Sequence, residues 1–183
     1  SGTGHPPAAP TPQVTLLGDP AEDHELRAAA HIRQAVAATR CHTNSTIALG
    51  SAAMVHGLPL ITGIPEHVHL ISEIGRAGLR RGVVIHRLPL SDSEVFTEFA
   101  PVTHPPRTWL DITRRSPLAD SLSVGDAGLR LGLFGLADLQ ALADQAVGRG
   151  CRRLRAASRL LSGKRESPLE SWSAATFHRW SLP

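Results

Sequence analysis

Apolar residues recur at helical spacing in the first part of the chain. From Asp23, which can act as an N-cap, they return every three or four positions as far as about Thr39, and this spacing predicts a first helix. A shorter helix is predicted next, with Ser51 as its cap and with Gly57 ending it in the left-handed conformation before Pro59.

Extended segments follow these two helices. Residues 66–71 and 82–87 predict a pair of antiparallel strands, joined by a turn of glycines and arginines over residues 75–81. Residues 95–102 alternate well enough to predict a third strand. The two prolines at 105–106 then begin a helix, because proline is favoured in a first helical turn.

The remainder of the chain is helical in pattern and punctuated by glycines. The predicted helices span residues 118–131, 136–147, 152–161 and 168–180. Because strands come first and helices last, the sequence predicts an α+β fold, with a small antiparallel sheet packed against several helices and a helical C-terminal half. The proline-rich residues 1–21 predict an extended leader that carries a short strand at residues 14–17.

Composition narrows the class of protein. A chain of 183 residues, 42% of them hydrophobic, can bury one good core, so one main domain is expected. The two cysteines, Cys41 and Cys151, are too few and too far apart for a disulfide scaffold or a thiolate zinc site, which favours a reducing cytoplasm. The sequence has no long apolar run and no basic or apolar leader, so neither a membrane span nor a signal peptide is predicted.

Positive charge is concentrated near one predicted helix. Of the 19 basic residues 18 are arginine, and seven basic residues lie between Arg149 and Arg165 with no acid among them. Guanidinium groups suit phosphate through their two-pronged donor geometry, which makes this segment the candidate nucleic-acid site. The residues expected to contact phosphate are Arg149, Arg152, Arg153, Arg155, Arg159 and Lys164. An ordinary solvated helix face predicts the same pattern, and this alternative stays open.

Two other groups have competing explanations. A second basic group on the predicted hairpin consists of Arg76, Arg80, Arg81 and Arg87. It could follow a nucleic-acid backbone or simply keep a turn solvated. His67, His69 and His86 would share one face of the strand pair and could hold zinc, although ten histidines in one chain produce such a trio by chance.

Motifs for catalysis are absent. There is no nucleophile elbow, phosphate-binding loop, dinucleotide fingerprint or zinc-protease helix, so no catalytic residue is assigned and no cofactor is expected. Glu166 and Glu170 are four residues apart and could share a magnesium ion, but only in a complete nuclease domain that supplied further ligands. Enrichment of acid in a first helical turn explains the two glutamates equally well.

Two aspartates fall within apolar helical patterns. Asp111 and Asp126 are each surrounded in sequence by residues of core type. A buried carboxylate of this kind more often caps a helix or pairs with an arginine, such as Arg107 or Arg130, than acts as an acid.

Four short segments carry a resemblance to a known family. They are residues 50–59 (GSAAMVHGLP), 68–70 (VHL), 81–87 (RGVVIHR) and 101–111 (PVTHPPRTWLD). In this order and spacing they resemble the AbiEi-like family of type IV antitoxins and transcriptional regulators, over roughly residues 24–165. The resemblance implies that residues 22–163 form the middle domain of such a regulator.

The resemblance also sets the expected function. In related proteins a winged-helix domain precedes this region, and a Vsr-like endonuclease-fold domain often follows it. Residues 164–183 are accordingly expected to be the first helix of a truncated nuclease-like domain, and the winged helix is expected to be missing. We therefore expect a cytoplasmic antitoxin-like transcriptional regulator that acts through DNA or through a partner such as a cognate toxin. The alternatives are a fragment of a metal-dependent DNA endonuclease and a protein-interaction module of a toxin-antitoxin system.

Overall fold

The computed structural model describes residues 20–180. The helices are α1 (Pro20–Cys41), α2 (Leu49–Val55), α3 (Pro105–Arg115), α4 (Leu118–Arg130), α5 (Leu136–Gln145), α6 (Cys151–Leu160) and α7 (Pro168–Arg179). All the helices that the sequence predicts are present. α1 begins before the expected cap Asp23, so residues 20 and 21 belong to it, and the predicted strand at residues 14–17 lies outside the described part.

Six short strands form one sheet. They are β1 (Ser45–Ile47), β2 (Val68–Ser72), β3 (Gly78–Arg80), β4 (Val83–His86), β5 (Val95–Thr97) and β6 (Pro101–Thr103). Their order across the sheet is β3-β4-β2-β1-β6-β5. A single 3₁₀ turn, Asp92–Glu94, precedes β5. Helices pack against this sheet, which confirms the predicted α+β class.

The prediction of an antiparallel sheet is wrong, because the sheet is mixed. β2 and β4, expected to be antiparallel partners, run parallel, and β1 and β6 do the same. The segment predicted as a turn between β2 and β4 instead supplies β3, which pairs antiparallel with β4 through a loop of Arg81 and Gly82. Both loop residues have positive φ, 49° and 80°, as a type I′ hairpin turn requires. The chain therefore reverses direction between β3 and β4, and β4 pairs with β2 as a parallel strand.

Three local predictions also differ from the structure. Residues 95–102 form parts of two strands, β5 and β6, that fold back on each other instead of one strand. β1 was not predicted, because its three residues are all buried and so show no alternation of polar and apolar positions. The cap of α2 is Ala48, so Ser51 lies inside the helix, and its hydroxyl bonds His31 and the amide of His69. Gly57 does adopt the left-handed conformation, with φ of 67°.

The two largest of three apolar clusters hold the layers together. One lies between α1, α2 and the sheet and includes Ala35, Ile47, Leu70 and Val102. The larger one lies among the helices and includes Trp109, Ile112, Leu122, Leu139 and Leu154, all fully buried. The Trp109 indole N–H donates to the carbonyl of Ser121 at 3.0 Å, so its one polar atom is satisfied inside the core.

α4 is the centre of the helical half. Its residues from Asp120 to Gly128 are all buried, and small side chains let the neighbouring helices approach closely. Asp126 accepts from the amides of Ser162 and Gly163 at 3.0 and 3.2 Å and pairs with Arg165 at 2.7 Å. The expected partner Arg130 instead donates to the carbonyl of residue 165. Asp126 thus ties α4 to the segment between α6 and α7.

Arg107 attaches α3 to the strand layer. Its guanidinium pairs with Asp111 and Glu94, each at 2.8 Å, and donates to the carbonyl of Pro89 at 2.9 Å. This confirms the expected pairing of Asp111 with Arg107. Because most of the donors of one guanidinium are used, the direction of α3 relative to the sheet is fixed, and with it the position of the arginines at its end.

Replacing Gly125 by alanine tests the close packing of α4. A Cβ at this position would overlap the side chain of Leu161 and lie 2.9 Å from the Trp109 indole nitrogen. Glycine to alanine in an exposed helix interior normally stabilises by about 0.5–1 kcal/mol. Here we expect Gly125→Ala to destabilise by about 1–3 kcal/mol in urea unfolding, because overpacking outweighs helix propensity.

The matched control is the same substitution in a Leu161→Ala background. Shortening Leu161 removes the overlapping atoms. The loss caused by Gly125→Ala should therefore shrink there. An unchanged or stabilising effect of Gly125→Ala in the parent chain would contradict the packing described.

Candidate nucleic-acid interface

Four arginines line one cleft of about 620 Å³ where α3 ends and α6 begins. Arg114 and Arg115 lie in the last turn of α3, Arg149 lies in the loop before α6, and Arg153 lies in the first turn of α6. Leu88, which follows β4, completes the wall. Asp111 is the one carboxylate paired with a cleft arginine in the described residues, 3.6 Å from Arg115, so positive charge dominates the cleft. We call this feature the arginine cleft.

Backbone carbonyls at two helix ends hold the arginine side chains in place. Arg153 donates to the carbonyl of Ser116, the C-cap of α3. Arg114 donates to the carbonyl of Val147, just beyond α5, at 3.2 Å. The carbonyl of Ser116 lies at the end of a helix, where it lacks an intrahelical donor and carries partial negative charge, so arginine is a favourable partner there. Each guanidinium has five N–H groups, and these bonds leave most of them for another acceptor.

Two features of the arginine cleft lack an acceptor within the described chain. The Nε of Arg114 is buried and has no hydrogen-bond partner. The first turn of α6 contains Arg152 and Arg153 and no acid, although the positive end of a helix dipole favours negative charge. Gly150, the N-cap of α6 with φ of 85°, lies so close to Arg114 that a Cβ would be 3.0 Å from the Arg114 Cγ. The start of α6 and Arg114 therefore form one site.

The structure brings together only some of the residues expected to contact phosphate. Arg149 and Arg153 line the arginine cleft, and Arg152 lies exposed beside it. Arg159 and Lys164 are exposed towards the far end of α6. A different role falls to Arg155, which donates to the carbonyls at the end of α5, Asp144 at 3.3 Å and Ala146 at 3.1 Å.

Sequence reasoning missed Arg114 and Arg115. Two arginines at the end of a predicted helix carry a ready explanation, because basic residues favour a helix C-terminus. Their role at the cleft depends on α6 crossing that end, which no local pattern encodes. One feature of the sequence could have identified them. Arg114 and Arg115 lie in a segment without acids, because none of the eight residues between Asp111 and Asp120 is Asp or Glu.

The second basic group does not reach the cleft. Arg76, Arg80 and Arg81 are exposed around the edge strand β3. Arg87 donates to the carbonyl of Gly75 at 3.3 Å and so closes the loop between β2 and β3. These arginines therefore lie around the hairpin of β3 and β4, and β3 is the edge strand on the side of β4 that faces away from β2. None of them lines the arginine cleft.

The histidines form a hydrogen-bonded pair. His69 Nδ1 lies 2.9 Å from His86 Nε2, and the rings stack at 5.2 Å between centroids. Burial, followed by the charge of His86, lowers the pKa of His69 to about 4, and burial followed by the charge of Arg115 lowers the pKa of His86. The nitrogens of this pair bond each other, and no group of three metal-ligating side chains occurs within residues 20–180. The structure therefore does not bring His67 together with His69 and His86 as a set of metal ligands.

The two candidate magnesium ligands belong to the start of α7. Glu170 accepts from the Ser167 hydroxyl at 3.0 Å and from the amide of Glu166 at 3.3 Å, while Ser167 accepts from the amide of Glu170. Ser167 is the N-cap of α7, so its hydroxyl and the Glu170 carboxylate together satisfy amides at the start of the helix. Glu166 is exposed and makes no side-chain bond within the described residues. The capping role accounts for Glu170 without a metal.

Comparison with known proteins adds no assignment. No protein-family model, no curated protein and no solved structure matches the chain. Among the described residues, none of the helices combines the length and the apolar character that a membrane crossing demands.

The buried histidines predict a loss of stability in acid. His31, His56, His69 and His86 all have a lowered pKa in the folded protein, mainly through burial. In the unfolded chain these histidines have a pKa of about 6.5, so below that pH the unfolded chain binds more protons than the folded chain. The free energy of unfolding therefore falls as the pH drops towards about 4. His69 alone should account for about 2 kcal/mol, allowing for solvent screening of a partly exposed ring.

Urea unfolding at a series of pH values between about 7 and 4 measures this effect. His69→Gln should flatten the profile, because the variant lacks the buried imidazole whose pKa is lowered to about 4. A profile that is equally steep in His69→Gln would show that His69 titrates alike in the folded and unfolded chains.

Proposed function

We propose that the chain binds nucleic acid through phosphate groups, as part of a regulator of the antitoxin-like kind that its sequence resembles. The observation that carries this proposal is the arginine cleft, where arginines of α3, of α6 and of the loop before α6 line one open space. Internal bonds hold Arg114 and Arg153 in place, so little side-chain entropy is lost when a ligand binds. Arginine donors in a fixed arrangement match phosphate oxygens.

The exposed side of α6 extends the surface beyond the cleft. A helix of ten residues is about 15 Å long, which is enough to follow several phosphates of one strand. Arg152 near its start and Arg159 near its end are exposed and make no internal bond within residues 20–180. Arg165, at the end of the basic segment, pairs with Asp126 and contributes less, because its charge is already compensated.

Charge reversal of Arg149 and Arg152 tests this proposal. Neither side chain makes an internal hydrogen bond in the described chain, so Arg149→Glu with Arg152→Glu should fold normally. We expect the affinity for a double-stranded oligonucleotide, measured by fluorescence anisotropy at low salt, to fall by about tenfold or more. The slope of log affinity against log salt should flatten by about 1–2.

The matched control carries the same charge change elsewhere. Arg33 and Arg40 are exposed on α1, which packs against the sheet and α2. Arg33→Glu with Arg40→Glu should lower the affinity by less than about threefold, through net charge alone. The proposal fails if the parent chain does not bind at low salt, or if both pairs of substitutions weaken binding equally.

A second candidate function, protein association, is favoured by α7. This helix packs its small residues inwards, with Ser171 and Ala175 buried, and turns its large apolar residues outwards. The outward side chains and their exposed fractions are Leu169 68%, Trp172 47%, Phe177 50% and Trp180 68%. Contiguous apolar surface of this kind marks an interaction site on a folded domain.

We infer that the occupant of this face is a second copy of the chain. With about 150–250 Å² for a fully exposed aromatic side chain, these residues leave roughly 400–500 Å² of apolar surface per copy. Two copies and their polar margins approach the lower limit of a specific interface, about 1,200 Å² in total. Trp172, Thr176 and Trp180 are spaced four apart, so in an antiparallel pair centred on Thr176 each Trp172 lies opposite a Trp180.

Sedimentation equilibrium tests the pairing of α7. We expect a reversible dimer with a dissociation constant of about 1–100 µM, because the interface is small. Trp172→Ser with Trp180→Ser should give a monomer, whereas Leu26→Ser, which removes an equally exposed side chain from α1, should not change the association. A parent chain that stays monomeric, or a dimer that survives the tryptophan substitutions, would contradict the pairing.

A further inference from the structure

The arginine cleft is concave, whereas contacts to the backbone of a nucleic acid are usually spread along a surface. Four guanidinium groups line one space of about 620 Å³, and a single carboxylate, that of Asp111, offsets them. An internal phosphodiester carries one negative charge and two non-bridging oxygens. A phosphate monoester carries a charge of about −1.5 to −2 at neutral pH and three such oxygens. The concentration of donors in the cleft therefore matches a monoester better than a diester.

We propose that the arginine cleft binds a terminal phosphate monoester, the phosphorylated end of a nucleic-acid strand. This inference rests on the proposed function and specifies which part of the ligand enters the cleft. A strand end can enter a concave site from one side, whereas a continuous backbone has to pass across it. Internal phosphates then follow the exposed arginines Arg152 and Arg159 along α6.

The floor of the cleft supplies donors that fit this ligand. Arg114 donates one terminal N–H to the carbonyl of Val147, and its other terminal N–H groups remain for a ligand. The first turn of α6 adds backbone amides that have no intrahelical acceptor, beside Arg152 and Arg153 in place of the usual acids. A doubly charged phosphate would offset the repulsion among the arginines and complement the helix dipole.

Matched oligonucleotides test the proposal. Single strands of one sequence are compared with a 5′-phosphate, with a 3′-phosphate and with hydroxyl groups at both ends, at one salt concentration. We expect at least one phosphorylated form to bind about tenfold more tightly than the hydroxyl form. Inorganic phosphate should compete for this advantage, because it presents the same chemical group.

Substitutions assign the advantage to the cleft. Arg114→Gln should abolish the preference for the phosphorylated end, so that the phosphorylated and hydroxyl forms bind this variant with equal affinity. Arg149→Gln serves as a second variant, because Arg149 is an exposed loop residue and its loss does not disturb the Val147 contact. It should reduce the preference in a chain whose thermal unfolding is unchanged.

The outcomes separate this inference from the proposed function. Equal binding of all three oligonucleotides, with a normal salt dependence, would overturn the inference and leave nucleic-acid binding in place. Competition by inorganic phosphate without any preference for a phosphorylated end would also overturn it, because the cleft would then take free phosphate only. If no oligonucleotide binds at low salt, the proposed function fails as well.

Discussion

The contact between the end of α3 and the start of α6 is the constraint on which the account of this protein depends. Arg153 of α6 donates to the carbonyl of Ser116 at the end of α3, and Arg114 of α3 donates to the carbonyl of Val147 just before α6. One bond joins α6 to the end of α3, and the other joins α3 to the loop that precedes α6. The Arg153 bond satisfies a carbonyl at a helix end, so this contact forms for structural reasons before any ligand is considered.

This constraint explains why charge is concentrated at one place. Arginines used to close helix ends have donors to spare, and the crossing of α3 and α6 brings four of them together around one cleft. The remaining structure keeps the crossing in place. Arg107 fixes α3 to the strand layer, and Asp126 ties the end of α6 to α4. The solvated helix face that the sequence also allowed describes Arg159 well, but it does not describe Arg114 or Arg153.

Much of the helical half could be predicted from sequence, and the site largely could not. The spacing of apolar residues identifies α3 to α7 because each helix is long enough to show its period. The direction of β4 against β2 depends on β3, whose three exposed residues look like a turn. Arg149 and Arg153 stand out in a segment without acids, whereas Arg114 and Arg115 gain their meaning only from a helix 35 residues or more further along the chain. Contacts between residues far apart in the chain cannot be predicted from the local pattern of polar and apolar residues.

Nuclear magnetic resonance of the arginine side chains tests the central claim most directly, because the Nε–H signal of Arg114 reports on the guanidinium group of a residue that lines the arginine cleft. Titration with a short 5′-phosphorylated oligonucleotide should shift this signal and the amide signals of Arg152 and Arg153 with one common saturation curve. The amide signal of Gly57, at the end of α2, should not move. If the oligonucleotide binds while the Arg114 signal stays unchanged, the arginine cleft is not the phosphate site and the account is contradicted.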